Sequence, residues 1–93
     1  LIALPEALRE RYVAHLAAVL PSRCVGLLVT MDYPQEQMAG PPFAVSDAWV
    51  REWLEPAWVM QIWEELDVLQ ENPRFLQRGL TRMQERAYQL RRR

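Results

Sequence analysis

The chain has 93 residues, with 11 basic side chains against 12 acidic ones, a single histidine and a formal net charge of -1. That length leaves room for one domain at most. The near-neutral balance excludes a phosphate-binding surface spread over the whole molecule, and 51% apolar residues exclude a disordered tail. No apolar run approaches the roughly 18 residues that a membrane span needs, and nothing reads as a signal peptide. Cys24 is the only cysteine, so neither an internal disulfide nor a cysteine-based zinc site is possible. A reduced, cytoplasmic setting without metal, nucleic acid or membrane partners is the expectation. The first residue is Leu1 and not Met, which predicts a chain that starts inside something longer or has been processed. Every basic residue is arginine, so any anion contact falls to a guanidinium fork or to the backbone.

The spacing predicts an amphipathic helix over about residues 5–20. Pro5 suits its first turn, and Glu6 sits at the positive end of the dipole. Leu8, Tyr12, Leu16 and Val19 or Leu20 form the stripe, with Arg9, Glu10 and Arg11 off it. Pro21 and Ser22 stop the helix. Cys24 to Met31 is continuously apolar and rich in branched residues, which predicts a strand buried on both faces, as at the parallel centre of an α/β sheet. Asp32 to Val45 contains Pro34, Gly40, Pro41 and Pro42 and reads as a loop, at the strand end where α/β folds place ligands. Asp32 and Tyr33 are placed to face that ligand side or to turn the loop.

Ser46 is a good N-cap for a helix over residues 47–54, which ends before Pro56. Trp58 to Leu69 reads as a strand, with Trp58, Met60, Ile62 and Glu64 on one face and Val59, Gln61, Trp63 and Glu65 on the other. Asn72 and Pro73 open a short turn or helix, with Asn72 as its cap, and Gly79 closes it. A final polar strand over about residues 81–91 is expected near a sheet edge or with one wet face, and antiparallel to its predecessor. The order is the back half of an α/β sheet that finishes with an antiparallel pair.

That order resembles the carboxyl-terminal half of the Rossmann-like S-adenosylmethionine-dependent methyltransferases. Leu1 to Pro5 with Arg9-Glu10-Arg11-Tyr12 and Leu16, then Gly26 to Tyr33, then Met38-Ala39-Gly40-Pro41-Pro42-Phe43, narrow it. Together with Asp67-Val68-Leu69, Arg74, Arg78-Gly79-Leu80 and Tyr88-Gln89-Leu90, they are similar to the thiopurine S-methyltransferase family over essentially the whole chain. The resemblance implies that residues 1–93 are a partial methyltransferase domain, the acceptor-side half. The cofactor, S-adenosylmethionine, would be held by an amino-terminal half that these residues do not include, and the family's Asp-Arg pair would fall just before Leu1. The implied acceptor is an aromatic or heterocyclic thiol. Selenium or tellurium compounds, other thiols or halide are the alternatives within the class, and a non-catalytic α/β interaction module is the alternative outside it.

The substrate-binding candidates are Arg74, through the resemblance, and Pro41, Pro42 and Phe43, through the flat faces they would offer an acceptor; no catalytic, cofactor-binding or metal-binding residue is expected in this stretch. Arg74 matches a family arginine, five residues before the glycine at Gly79, that reaches toward the acceptor. A guanidinium there suits a ring nitrogen and favours a thiolate acceptor. The competing reading is a solvated loop arginine. Gly40 to Phe43 would be a stiff lid against a flat acceptor, or a rigid turn. Trp49, Trp53, Trp58 and Trp63 read as core and sheet-face packing in preference to a stacking platform. His15 reads as a surface or half-buried residue in preference to a catalytic or metal-binding one, the four methionines as filler, and Arg91-Arg92-Arg93 as solvated.

Overall fold

A computed structural model describes all of residues 1–93. Pro5 occupies the position just before the first helix, α1 (Glu6–Val19), and Leu20 ends it in extended geometry. The chain then forms β1 (Val25–Asp32), a loop containing a single 3-10 turn, α2 (Asp47–Leu54), β2 (Trp58–Asp67), the short α3 (Pro73–Gln77) and β3 (Gln84–Arg92). Ser46 caps α2 as expected, its Oγ accepting from the Trp49 N–H at 3.1 Å. Gly79 closes the α3 region at φ +95°, a left-handed position that side chains resist. Asn72 stands at the N-terminal boundary of α3 but does not cap it. Its amide donates instead to the Val68 carbonyl at 2.7 Å.

The sheet order is β1-β3-β2, with both pairings antiparallel. β3 therefore takes the centre, not an edge, because each neighbour reaches one of its two hydrogen-bonding sides. The expectation of a wet face holds in its other form. Arg86, Tyr88 and Leu90 point to the covered side, while Arg91 is exposed on the other. β1 and β2 run in the same direction on either side of β3, so their carboxyl ends, Asp32 and Asp67, both lie opposite Gln84.

The alternation expected for β2 breaks at a bulge. Ile62 opposes Tyr88 and Glu64 opposes Ala87, which leaves Trp63 without a partner and 62% exposed. From there the two faces exchange: Glu65 opposes Arg86 and so joins Trp58, Met60 and Ile62 on the covered side.

α1 and α2 pack on that side. Val13 of α1, Trp49, Val50 and Leu54 of α2 and Trp58, Tyr88 and Leu90 of the sheet form the larger core. On α1 the buried residues are Arg9 and Val13, with Leu16 and Leu20 half-buried. Leu8, Tyr12 and Val19 of the expected stripe are exposed. The inward face is rotated by one residue because Arg9 lays its guanidinium over the Trp49 ring, 4.8 Å from the centroid. The tryptophans divide. Trp49 and Trp58 are core, while Trp53 and Trp63 are exposed.

Within these residues β1 is an edge strand with one covered face. Leu28 packs on the core, while Val25 and Leu27 are 63% and 60% exposed. Nothing in the chain lies over the second face, so burial on both sides is not met here. The terminal arginines are not simply solvated either. Arg92 donates from Nη2 and Nε to the Ala17 carbonyl in the last turn of α1, at 2.9 and 3.2 Å, and Arg93 donates to Glu55 O at 2.9 Å.

Candidate functional site

The carboxyl ends of β1 and β2 gather the irregular parts of the chain at one end of the sheet. Residues 33–45 leave β1 there, and residues 68–83 connect β2 to β3 there. A second, smaller core joins them: Tyr33, Met38, Val68, Leu69, Leu80 and Met83, with Ala44 and Phe75 packed against it. The two segments carrying Arg74 and Pro41-Pro42-Phe43 are thus built on one support.

The loop after β1 is held by side chains from its own first turn. The Tyr33 hydroxyl donates to the Pro42 carbonyl. Gln35 Nε2 donates to Met38 O at 2.8 Å, and Gln35 Oε1 accepts from the Ala44 N–H at 2.8 Å. The Phe43 ring folds back over Gly40. A Cβ at Gly40 would lie 2.6 Å from ring carbon Cε1, inside any allowed contact, so only glycine fits. The Gly40–Pro41 and Pro41–Pro42 peptide bonds are both cis. Pro41 is exposed, and Pro42 and Phe43 are half-buried.

The connection to β3 grips this loop from the other side. Arg78 Nη2 donates to Ala39 O at 3.1 Å, and Thr81 donates from both N and Oγ1 to Gln37 Oε1 at 3.0 and 3.1 Å. Arg74 is exposed in the first turn of α3. Its guanidinium lies 5.7 Å from the Phe75 ring centroid and makes no hydrogen bond or ion pair. The structure thus brings its helix to the loop without joining Arg74 itself to Pro41, Pro42 or Phe43 by any hydrogen bond.

Beside the loop, a cleft of about 360 Å³ opens between the starts of α1 and α2, lined by Glu6, Arg9, Asp32, Tyr33, Gln35 and Trp49 among others. Arg9 Nη1 donates to Ala44 O at 3.0 Å. Burial pushes the Arg9 pKa below the ordinary guanidinium value, against the opposing charges of Glu6 and Glu10. Arg9 Nε, Trp49 Nε1 and Thr30 Oγ1 are buried without a hydrogen-bond partner in the chain.

Behind the cleft, Arg86 ties all three strands. It donates to Asp32 Oδ2 at 2.6 Å, to Glu65 Oε2 at 3.0 Å and to Gln84 Oε1 at 2.8 Å. Burial alone would lower its pKa, but the hydrogen bonds and charges of Asp32 and Glu65 outweigh it and the guanidinium is held more firmly charged. Asp32 therefore belongs to the strand clamp, and Tyr33 to the support of the loop. Arg9, Gln35, Arg78 and Arg86 were not singled out by spacing. The partners of the three arginines lie 21 to 54 residues away, the Arg86–Gln84 contact apart, where no local pattern records them.

The residues present do not form a cradle for S-adenosylmethionine. The glycines are Gly26, inside β1, Gly40, filled by the Phe43 ring, and Gly79, at the end of α3. None opens a tight turn from a strand onto a helix N-terminus, as a nucleotide-type cofactor requires. No cluster of three or more histidine, cysteine, aspartate or glutamate side chains is arranged to hold a metal ion. No helix is long and apolar enough to cross a membrane.

The chain is a mixed α/β unit whose two long connections converge on one end of the sheet. All of residues 1–93 match the family model described as Thiopurine S-methyltransferase (TPMT), and the chain belongs to that family. A protein of Azotobacter vinelandii named thiopurine S-methyltransferase is 59% identical over 93 residues, covering 100% of this chain and 43% of the relative. One from Pseudomonas fluorescens (strain Pf0-1) is 53% identical over 90 residues, covering 97% of the chain and 41% of the relative. One from Shewanella loihica is 48% identical over 93 residues, covering 100% and 43%. All three carry the same name. The chain spans about two fifths of the length of these curated relatives.

Proposed function

We propose that residues 1–93 are the acceptor-side part of a cytoplasmic S-adenosylmethionine-dependent methyltransferase that acts on aromatic or heterocyclic thiols. The match of the whole chain to the thiopurine S-methyltransferase family carries this reading. The cofactor supplies an electrophilic methyl group and belongs to the portion of the longer protein outside this chain. What these residues do is bind and orient. Transfer from a sulfonium to a sulfur nucleophile is an in-line displacement, which needs a dry, well-placed acceptor more than acid–base groups. The absence of a nucleophile–base pair here is compatible with that demand.

Pro41, Pro42 and Phe43 offer flat, apolar surface from a loop braced on both sides. Arg74, unpaired within the chain, is the group available to hydrogen-bond a ring nitrogen and to favour the thiolate. An acceptor assay of the full-length protein tests the reading, with thiophenols, mercaptopurines, selenite, tellurite and iodide compared under one cofactor concentration. Methylation of the heterocyclic thiols with the highest kcat/KM is the expected result. A preference for the selenium, tellurium or halide acceptors would replace the acceptor class, and no transfer to any of them would favour the interaction module.

A further inference from the structure

Arg9 is 6% exposed, and nothing on α1 hydrogen-bonds to its guanidinium. Its direct partners belong to the segment that follows the proline loop: the Ala44 carbonyl at 3.0 Å and the Trp49 ring at 4.8 Å. The adjoining backbone is anchored one residue at a time. The Phe43 N–H donates to Ile2 O at 2.7 Å, the Ala44 N–H to Gln35 Oε1 at 2.8 Å, and the Val45 N–H to Met31 O at 2.8 Å. Arg9 makes the one charged contact in this set, and a charge-assisted bond from a buried donor is the hardest of them to replace with water. The Phe43 ring in turn rests on Gly40, so displacement at Ala44 is passed back through Phe43 to the turn at residues 40–42.

We propose that Arg9 is a positioning residue, which fixes the Ala44 carbonyl and through it the pose of Pro42 and Phe43 toward the acceptor. The acceptor half rests on the function proposed above. The hold on the loop does not.

Two readouts on the full-length protein separate them: amide hydrogen exchange over residues 38–46, and steady-state kinetics with a thiol acceptor. Arg9→Met keeps the apolar stem and removes the donors. It should speed exchange at residues 43–45 by about tenfold or more, the scale of losing one charged hydrogen bond. Exchange in β1 to β3 should stay unchanged. The acceptor KM should rise by about the same factor, with cofactor affinity held. Arg9→Lys keeps the charge and a donor nitrogen but loses the planar fork, so it should fall between the two, and it supplies the comparison if Arg9→Met does not fold. Unchanged exchange at residues 43–45 in both variants would overturn the proposal. So would a parallel loss of acceptor and cofactor affinity with thermal stability, which marks a merely structural arginine. If the wild-type protein methylates no thiol, the acceptor half falls, and exchange alone decides whether Arg9 holds the loop.

Discussion

Tyr88 is fully buried in the middle of the central strand, and its hydroxyl donates to Asp47 Oδ1 at 2.8 Å. Burial raises its pKa well above the ordinary tyrosine value. The hydrogen bond to Asp47 and that group's charge add to the rise, and Arg86 and Arg51 oppose it weakly. An unfolded tyrosine ionises near pH 10. Below that pH both states hold the proton and the contribution is complete. Above about pH 10 the unfolded chain releases a proton that the folded protein keeps, so stability falls as pH rises. Tyr88→Phe should flatten that alkaline decline and cost about 1.5–3 kcal/mol near neutrality, since the bond it removes is charge-assisted. Denaturant unfolding of the full-length protein from pH 8 to pH 11 measures both. Arg74 is the opposite case, exposed and unpaired. Arg74→Ala should leave thermal unfolding unchanged and lower kcat/KM for a thiol by about ten- to a hundredfold, the loss of one charged contact. Unchanged kinetics would make it a solvated side chain.

Elements whose signals are local were legible in the sequence. The Ser46 cap, the span of α2 and the closure at Gly79 each depend on residues within one turn of themselves. The loop was legible from its prolines. What braces it was not, because Arg78, Thr81 and Arg9 reach it across 35 to 44 residues. The bulge at Trp63 also left no clear mark, since Val, Ile and Trp suit either face of a strand. Its consequence is large, because the exchange of faces is what carries Glu65 to Arg86. The Arg86 and Asp32 side chains are 10% and 15% exposed, whereas Glu65 is 43% exposed. Arg86→Leu would therefore strand Asp32 more than Glu65. A cost of about 3 kcal/mol is expected, at the low end for a broken buried pair because solvent reaches Glu65. Urea unfolding of the full-length protein reads it, and adding Asp32→Asn should recover part of the loss by removing the unpaired charge.

At the scale of the whole molecule the chain is a slab, with extents of 43 × 26 × 17 Å. Its radius of gyration is 13.9 Å, against about 12 Å expected for a compact domain of this length. One sheet and one layer of helices account for the thinness. Only 17 of the 93 residues are buried, which is a small core to set against chain entropy. The lack of a cofactor cradle gives a direct expectation: calorimetry on residues 1–93 should show no S-adenosylmethionine binding in the micromolar range. Micromolar binding would mean that these residues hold the cofactor by some other arrangement.

The uncovered face of the sheet sets the behaviour of the isolated chain. Val25, Leu27, Val29, Val59 and Leu66 are each 38% to 63% exposed, and the bulged Trp63 adds 62%. On the covered side, Tyr12 and Leu16 of α1, with Leu20 just after it, line an apolar groove of about 320 Å³ against β1, Trp58 and Leu90. β1 pairs only with β3, so apart from the Met31 carbonyl, which accepts from the Val45 N–H, its outer row of N–H and C=O groups has no backbone partner, and no proline or lysine blunts that edge. An open edge joined to an apolar face of several hundred Å² is the combination that drives association. The isolated chain should therefore sediment as concentration-dependent oligomers and unfold over a broad transition. Leu27→Glu with Val29→Glu, at two exposed positions on the open face, should shift it toward monomer with little loss of secondary structure. A concentration-independent monomer with sharp, cooperative unfolding would show instead that two layers suffice, and that these residues fold as a self-sufficient unit.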